Sequence, residues 1–196
     1  MNDPGKAYLD LLFKWNRAVR LTAFTDTAEA MDRGYRPSLA ALPHLAEGAR
    51  LLDLGSGGGF PAIPLALERR DLRVTCCEPS REKCLFLREA SVRLGLDLEV
   101  RTVTAEELLR TETRWDAITV RGLKLRRGVL RRTVKALNPG GVLLVWSGGD
   151  RAGHYAAWMR AEGLEVSEAP QAEAGVVLVA GIVPRGTPPD GPRGED

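Results

Sequence analysis

Two stretches of the chain combine residue types and spacings that could do chemistry. The first is Asp53-x-Gly55-x-Gly57-x-Gly59, which follows the apolar pair Leu51-Leu52. Glycines in such a loop let a ligand approach the main chain, because no Cβ stands in the way. The second is Glu78, which closes the apolar run 72–77 about twenty residues after the loop. A carboxylate at that place accepts the two hydroxyls of an adenosine ribose. Together they suit a ligand built on adenosine. The plainer alternatives are a tight glycine turn with no ligand and a solvated acid at a strand end. Other chemistries have less support. Cys76, Cys77 and Cys84 form no C-x-x-C pair and no Cys/His cluster, so neither a zinc site nor a disulfide framework is expected. These thiols read as small buried hydrophobes. His44 and His154 are isolated in the sequence, and no pair of carboxylates stands out.

The elements that must position these residues follow from apolar patterning. Residues 1–48 read as helical, with Tyr8, Leu9, Leu11, Leu12 and Trp15 on one face. Thr25 or Asp26 would cap a second short helix, and Pro37-Ser38 would open a third through Leu39, Leu42 and Leu45. From residue 50 the pattern alternates. Strands are expected at 51–54, 72–77, 98–103, 117–120, 142–146, 164–167 and 176–183. Helices are expected after Pro61 and over about 81–94, 127–137 and 154–162, with Gly95 as a C-cap and Pro139-Gly140-Gly141 as a turn. Such alternation predicts an α/β domain with a mainly parallel seven-stranded sheet and helices on both faces. The expected organisation is a short helical N-terminal extension (1–48), a ligand-binding domain (49–183) and a disordered tail rich in Pro, Gly and charge (184–196).

Composition excludes little. The chain of 196 residues is 44% hydrophobic, enough for a full core, and its net charge of +2 does not by itself call for a nucleic-acid partner. The basic residues are mostly arginine, which suits phosphate recognition but also follows from a GC-rich genome. No apolar run has membrane length and no signal-peptide core is visible, so a cytoplasmic protein is expected.

The loop can be read more finely. D-x-G-x-G-x-G is the spacing of loops that wrap the amino-acid part of S-adenosylmethionine, where Asp53 would orient its ammonium group through water or backbone. The rival reading is a dinucleotide fold, since Gly57-x-Gly59-x-x-Ala62 matches G-x-G-x-x-A, but it starts two residues late. The run 51–66, LLDLGSGGGFPAIPLA, closely resembles the glucose-inhibited-division B (RsmG, GidB) family, and Gly-Phe-Pro-x-Ile-Pro is its most specific part. Trp15-Asn16, Leu21-Thr22-Ala23, Lys83 to Leu87, Ala105-Glu106, Thr119-Val120-Arg121 and Asn138-Pro139-Gly140-Gly141 extend the resemblance over about residues 8–183.

The resemblance implies a Rossmann-like class I methyltransferase fold that methylates guanine N7 in 16S ribosomal RNA, with S-adenosylmethionine as cofactor. It implies that Gly55 and Phe60 line the cofactor pocket beside Asp53, Ser56, Gly57 and Gly59, that Glu78 holds the ribose, and that Ala105-Glu106 lie beside the adenine. Arg121 would face the active site, and Phe60 or Tyr35 would stack on the target base. An RNA substrate would need a basic face. Two clusters could flank the cofactor mouth and pair with phosphates, Arg17, Arg20, Arg33 and Arg36 in one and Lys124, Arg126, Arg127, Arg131 and Arg132 in the other. The plainer alternative is a pair of solvated helix faces. The partner implied is the small ribosomal subunit or its RNA, the enzyme a monomer. Two elements depart from the family pattern. Gly34 and Pro37 stand where His-x-x-Asp-Ser-Leu is usual, and Ser147-Gly148 stands where Lys-Gly is usual. The alternatives are therefore a divergent paralogue acting on another RNA or a small molecule, or a cofactor-binding protein without catalysis.

Overall fold

Burial along the strands explains the layers. In the strand β1 (Arg50–Leu54), Leu51 belongs to one buried cluster while Leu52 and Leu54 belong to the other. A strand buried on both faces is what a parallel sheet covered by helices requires. The computed structural model describes residues 3–111, 113–148, 150–171 and 175–182. The tail expected at 184–196 lies outside them.

Helix α1 (Pro4–Asn16) starts on Asp3, whose side chain accepts from the Gly5 N–H at 2.9 Å. Its buried Tyr8, Leu9, Leu11 and Leu12 join the same cluster as Leu51 and Val74 of the sheet. Each buried leucine contributes about 1.5–3 kcal/mol, enough to hold the helix on the sheet. The second helix, α2 (Thr27–Ala30), is capped by Asp26. It runs into a π turn (Met31–Tyr35), then α3 (Arg36–Ser38) and a 3-10 stretch (Leu39–His44). The third helix expected from Pro37 is thus part of this broken rod, and Leu45 lies beyond it in extended backbone.

The remaining elements are α4 (Ala62–Glu68), β2 (Arg73–Cys77), α5 (Arg81–Arg93), β3 (Leu98–Arg101), α6 (Ala105–Leu108), β4 (Trp115–Arg121), α7 (Arg127–Lys135), β5 (Leu137–Ser147), α8 (Asp150–Ala161), β6 (Leu164–Gln171) and β7 (Gly175–Ile182). The sheet order is β3-β2-β1-β4-β5-β7-β6, with β7 antiparallel to both neighbours. Helices α1, α4 and α5 bury their apolar faces in one cluster, and α6, α7 and α8 in the other.

Several boundaries differ from the sequence expectation. β3 stops at Arg101 and α7 at Lys135. β5 begins before Pro139-Gly140-Gly141, because Leu137 pairs with Trp115 and the register then shifts before Ala117. Gly141 has no room for a Cβ there, which would stand 2.9 Å from the Asn138 carbonyl oxygen. Helix α6 has no counterpart in the apolar patterning. A capping box between Thr104 and Glu107 starts it.

Candidate active site

The sheet order reverses between β1 and β4, and open α/β sheets bind ligands at the carboxyl ends of strands beside such a point. Gly55 follows β1, Glu78 follows β2 and Arg121 ends β4, so three adjacent strands deliver their ends to one place. The loop after β1 is fastened at both ends. Gly55 and Ser56 donate their N–H groups to the Cys77 carbonyl at 2.8 and 3.2 Å, and Gly59 donates to the Ser56 carbonyl at 2.6 Å. Gly57 has φ +51°, and a Cβ there would meet only the Gly55 carbonyl oxygen, at 3.7 Å. The space beside Gly57 is therefore open to a ligand. Gly59 is a glycine for a different reason. Its φ is +93° and a Cβ would stand 2.4 Å from Ile63 Cδ1, so it serves packing.

Glu78 is 6% exposed and braces the loop. One oxygen accepts from the Gly57 N–H at 2.9 Å and the other from the Ser80 N–H at 3.0 Å. Each carboxylate oxygen keeps further acceptor capacity for ligand hydroxyls. Tyr8 donates its hydroxyl to the Gly58 carbonyl at 2.6 Å, tying α1 to the loop. The Asn16 side-chain oxygen accepts from Leu21 N–H (2.8 Å) and Thr22 N–H (3.0 Å), which presents Leu21 to the same cleft.

That cleft holds about 410 Å³. It gathers Gly55, Ser56, Gly57, Phe60, Glu78 and Arg121 from the expected site residues. Asp53 and Gly59 lie behind the loop, and Ala105 and Glu106 do not line the cleft; Ala105 packs in the core and Glu106 is exposed. Leu21, Gly58, Pro79, Lys83 and Leu123 also line it, although the sequence motifs do not single them out as site residues. A signal exists for Lys83, which sits in the first turn of α5 just after Glu78; Leu21 comes from a loop with no periodicity. Tyr35 does not face the cleft. It is 7% exposed and donates to Glu68 at 3.0 Å, so its ring is not available to a base. The three cysteines are buried and free, and burial pushes the Cys77 thiol up to about 12.

Asp53 sits under the loop, 1% exposed. Its Oδ1 accepts from the Thr119 hydroxyl at 2.8 Å, while Oδ2 has no hydrogen-bond partner among the described residues. Burial raises its pKa from 3.8 to about 7, against the lowering effect of Thr119, Ser56 and Arg121. A carboxyl with a raised native pKa stabilises the fold most fully below its unfolded value, and that contribution is lost as pH rises to about 7. Each pH unit in that window costs about 1.4 kcal/mol. The difference in melting temperature between Asp53→Asn and the wild type is therefore expected to grow in favour of the variant from pH 4.5 to pH 8. A constant difference across thermal melts in that range would contradict it.

Arg121 is held rather than free. It donates to the Gly34 carbonyl (2.7 Å), the Ser38 hydroxyl (3.1 Å) and the Arg33 carbonyl, and its guanidinium lies 5.8 Å from the Phe60 ring centre. Burial lowers its pKa to about 10, which leaves it a cation at neutral pH. Arg33 and Arg36 are each paired with an acid one turn earlier, Glu29 and Asp32. Lys124, Arg126 and Arg127 are exposed. A Cβ on Gly34 would stand 2.9 Å from both Phe24 and Phe60, so aromatic rings fill that space.

The open main chain at Gly57 and the acid Glu78 fit a ligand with ribose hydroxyls, with Asp53 buried behind the loop rather than facing the cleft. Fold and cleft together define a class I methyltransferase dependent on S-adenosylmethionine. Solved structures share this fold. A precorrin-6y C5,15-methyltransferase from Geobacter metallireducens superposes with a TM-score of 0.65 at 15% identity, over 85% of this chain and 93% of that one. A T. thermophilus 16S rRNA methyltransferase (RsmC), solved with AdoMet and guanosine, gives 0.58 at 23% identity over 74% and 43%. Sequence comparison is more specific. The family profile "GidB: rRNA small subunit methyltransferase G" matches residues 2–171. Ribosomal RNA small subunit methyltransferase G of Stenotrophomonas maltophilia is 40% identical over 145 residues, covering 74% of this chain and 68% of the relative. That of Anaeromyxobacter dehalogenans is 39% identical over 175 residues, covering 85% and 81%. The chain belongs to the GidB family of rRNA small subunit methyltransferases.

Proposed function

We propose that the protein transfers the methyl group of S-adenosylmethionine to N7 of a guanine in 16S ribosomal RNA. The observation that carries the reading is a shared wall. Arg121, Gly122 and Leu123 line the cofactor cleft and also a second cavity of about 220 Å³, completed by Trp146, Ser147, Gly148, Arg151 and Tyr155. A base seated in the second cavity would lie against whatever fills the first. The Ser147-Gly148 departure falls in this second cavity.

The bound cofactor supplies an electrophilic methyl group. Guanine N7 carries a lone pair and no proton, so the chain need not provide a general base. Its task is alignment. Glu78 would take the ribose hydroxyls and the Gly57 main chain the amino-acid end, with Asp53 acting on it only through the loop backbone or water. Arg121 acts as a positioning residue, because its hydrogen bonds pin the π turn and its charge faces Phe60 at the rim. Lys124, Arg126 and Arg127 follow the shared wall and would meet phosphates near the mouth. In this reading the enzyme is a cytoplasmic monomer. Among the described residues no helix is long and apolar enough to cross a membrane.

Arg121→Ala is expected to lower single-turnover methyl transfer by about tenfold or more, with RNA affinity changed less. Arg121→Lys should not restore the rate, because an ammonium cannot reproduce the forked contacts. Equal loss of binding and rate would contradict a positioning role. The activity itself is tested by incubating the protein with labelled cofactor and unmodified small subunits or their RNA, then mapping the label. Label at a guanine N7 is expected. Label on another atom, or no transfer to RNA, would overturn the proposal in favour of another acceptor or a binding-only protein.

A further inference from the structure

Some of the described arginines and lysines lie close to an acid, while others, such as Arg70, Arg73 and Arg88, bond only to carbonyl or hydroxyl oxygens. Lys6 pairs with Asp10, Arg69 with Asp71 and Arg93 with Glu89, at 2.6–2.8 Å. One region gathers several cations on a single groove. Arg131, Arg132 and Lys135 form an exposed stripe along α7, at helical spacing. Arg110 and Arg114, from the segment between α6 and β4, face the same groove, which holds about 920 Å³. The described residues that line it include no acid, and Glu112, between Thr111 and Thr113 in the sequence, lies outside the described residues. Arg131 lies 3.7 Å from Glu162, the longest of the ion pairs described.

The groove has a built wall as well as charge. Arg114 donates to the carbonyls of Lys135 and Leu137 at the carboxyl end of α7, where helix carbonyls carry partial negative charge. That clamp fixes the spacing of the two sides. Five cations share this concave surface, and their mutual repulsion is offset in part by Glu162 beside Arg131. A merely solvated helix face would not need the concavity or the cations arriving from a second segment.

We propose that this groove anchors the phosphodiester backbone of the RNA substrate, at a surface separate from the cofactor cleft. Arginine forks match phosphate oxygens two at a time, and a run of phosphates neutralises the whole groove. The groove runs along α7 from Gly128 in its first turn to Lys135 at its end, and Arg114 stands just before β4, at the other end of that strand from Arg121. α7 is 9 residues long, about 13 Å at helical rise. The proposal rests on the RNA reading above and adds a binding surface to it.

The test compares the full-length wild type with Arg131→Glu/Arg132→Glu and with the milder Arg131→Gln/Arg132→Gln. Binding to small-subunit ribosomal RNA is measured at several salt concentrations, with steady-state methylation and cofactor affinity alongside. The reversed variant is expected to bind RNA at least about tenfold more weakly. Its salt slope should be shallower by about 0.7–0.9 for each phosphate that the groove no longer neutralises. KM for RNA should rise while kcat at saturating RNA and cofactor affinity stay within about twofold. The Gln variant should fall between, with a thermal melt close to the wild type, while Arg131→Glu also sets a second carboxylate beside Glu162 and should lower the melt modestly. RNA affinity, salt slope and KM unchanged in both variants, in a wild type that does methylate RNA, would overturn the groove and leave the substrate reading intact. A wild type that neither binds nor methylates RNA would overturn both.

Discussion

Replacing Gly57 by valine is expected to abolish cofactor binding, with affinity reduced by more than about a hundredfold. The reason is local. Gly57 has φ +51°, a conformation that a β-branched residue adopts only under strain of about 1–3 kcal/mol. The added side chain would meet little of the protein, since the nearest atom to its Cβ is 3.7 Å away. It would stand instead in the cleft, where the main chain is to meet the ligand. The fold should therefore survive while the site closes. Saturating S-adenosylmethionine should raise the melting temperature of the wild type and leave that of the variant unmoved. A variant that still binds within about tenfold of the wild type would contradict the placement of the cofactor at this loop.

Glu78→Ala should weaken the cofactor by about 1.5–3 kcal/mol, or roughly 10- to 150-fold in Kd, the scale of hydrogen bonds to a charged group. Two losses combine. The ribose loses its acceptor, and the Gly57 and Ser80 N–H groups lose the carboxylate that braces them at 2.9 and 3.0 Å. Glu78→Gln separates these effects, because its carbonyl oxygen can still accept one of the N–H bonds while its amide presents donors. It should bind more tightly than the alanine variant but more weakly than the wild type. Calorimetry on variants with normal melts checks both. Unchanged dissociation constants would remove Glu78 from the cofactor site.

The parts of the site that are legible in the sequence are those built from neighbours in the chain. Apolar runs that stop at Gly55 and at Glu78 fix β1, β2 and the loop between them, because buried parallel strands must be apolar and their ends must turn. Asp26, Ser80 and Thr104 cap helices through contacts three residues long, yet α6 is not visible in the pattern because four residues show no helical period. The turn at Pro139 is a true local signal, but the pairing of Leu137 with Trp115 carries the strand through it. What the sequence could not show is contact at long range. Tyr8 reaches Gly58 and Arg121 reaches Gly34 across 50 and 87 positions. Neither bond has a local pattern, and both shape the cleft. The same holds for the groove, whose cations come from two segments that the fold brings face to face.

The most direct test of the cofactor site is a crystal structure of the protein with S-adenosylhomocysteine. The ligand is expected between the 55–60 loop and Lys83, with its ribose hydroxyls on Glu78 and its amino-acid end at the Gly57 main chain. A ligand bound elsewhere on the chain, or a Glu78 carboxylate left untouched by it, would contradict the site at the ends of β1 and β2.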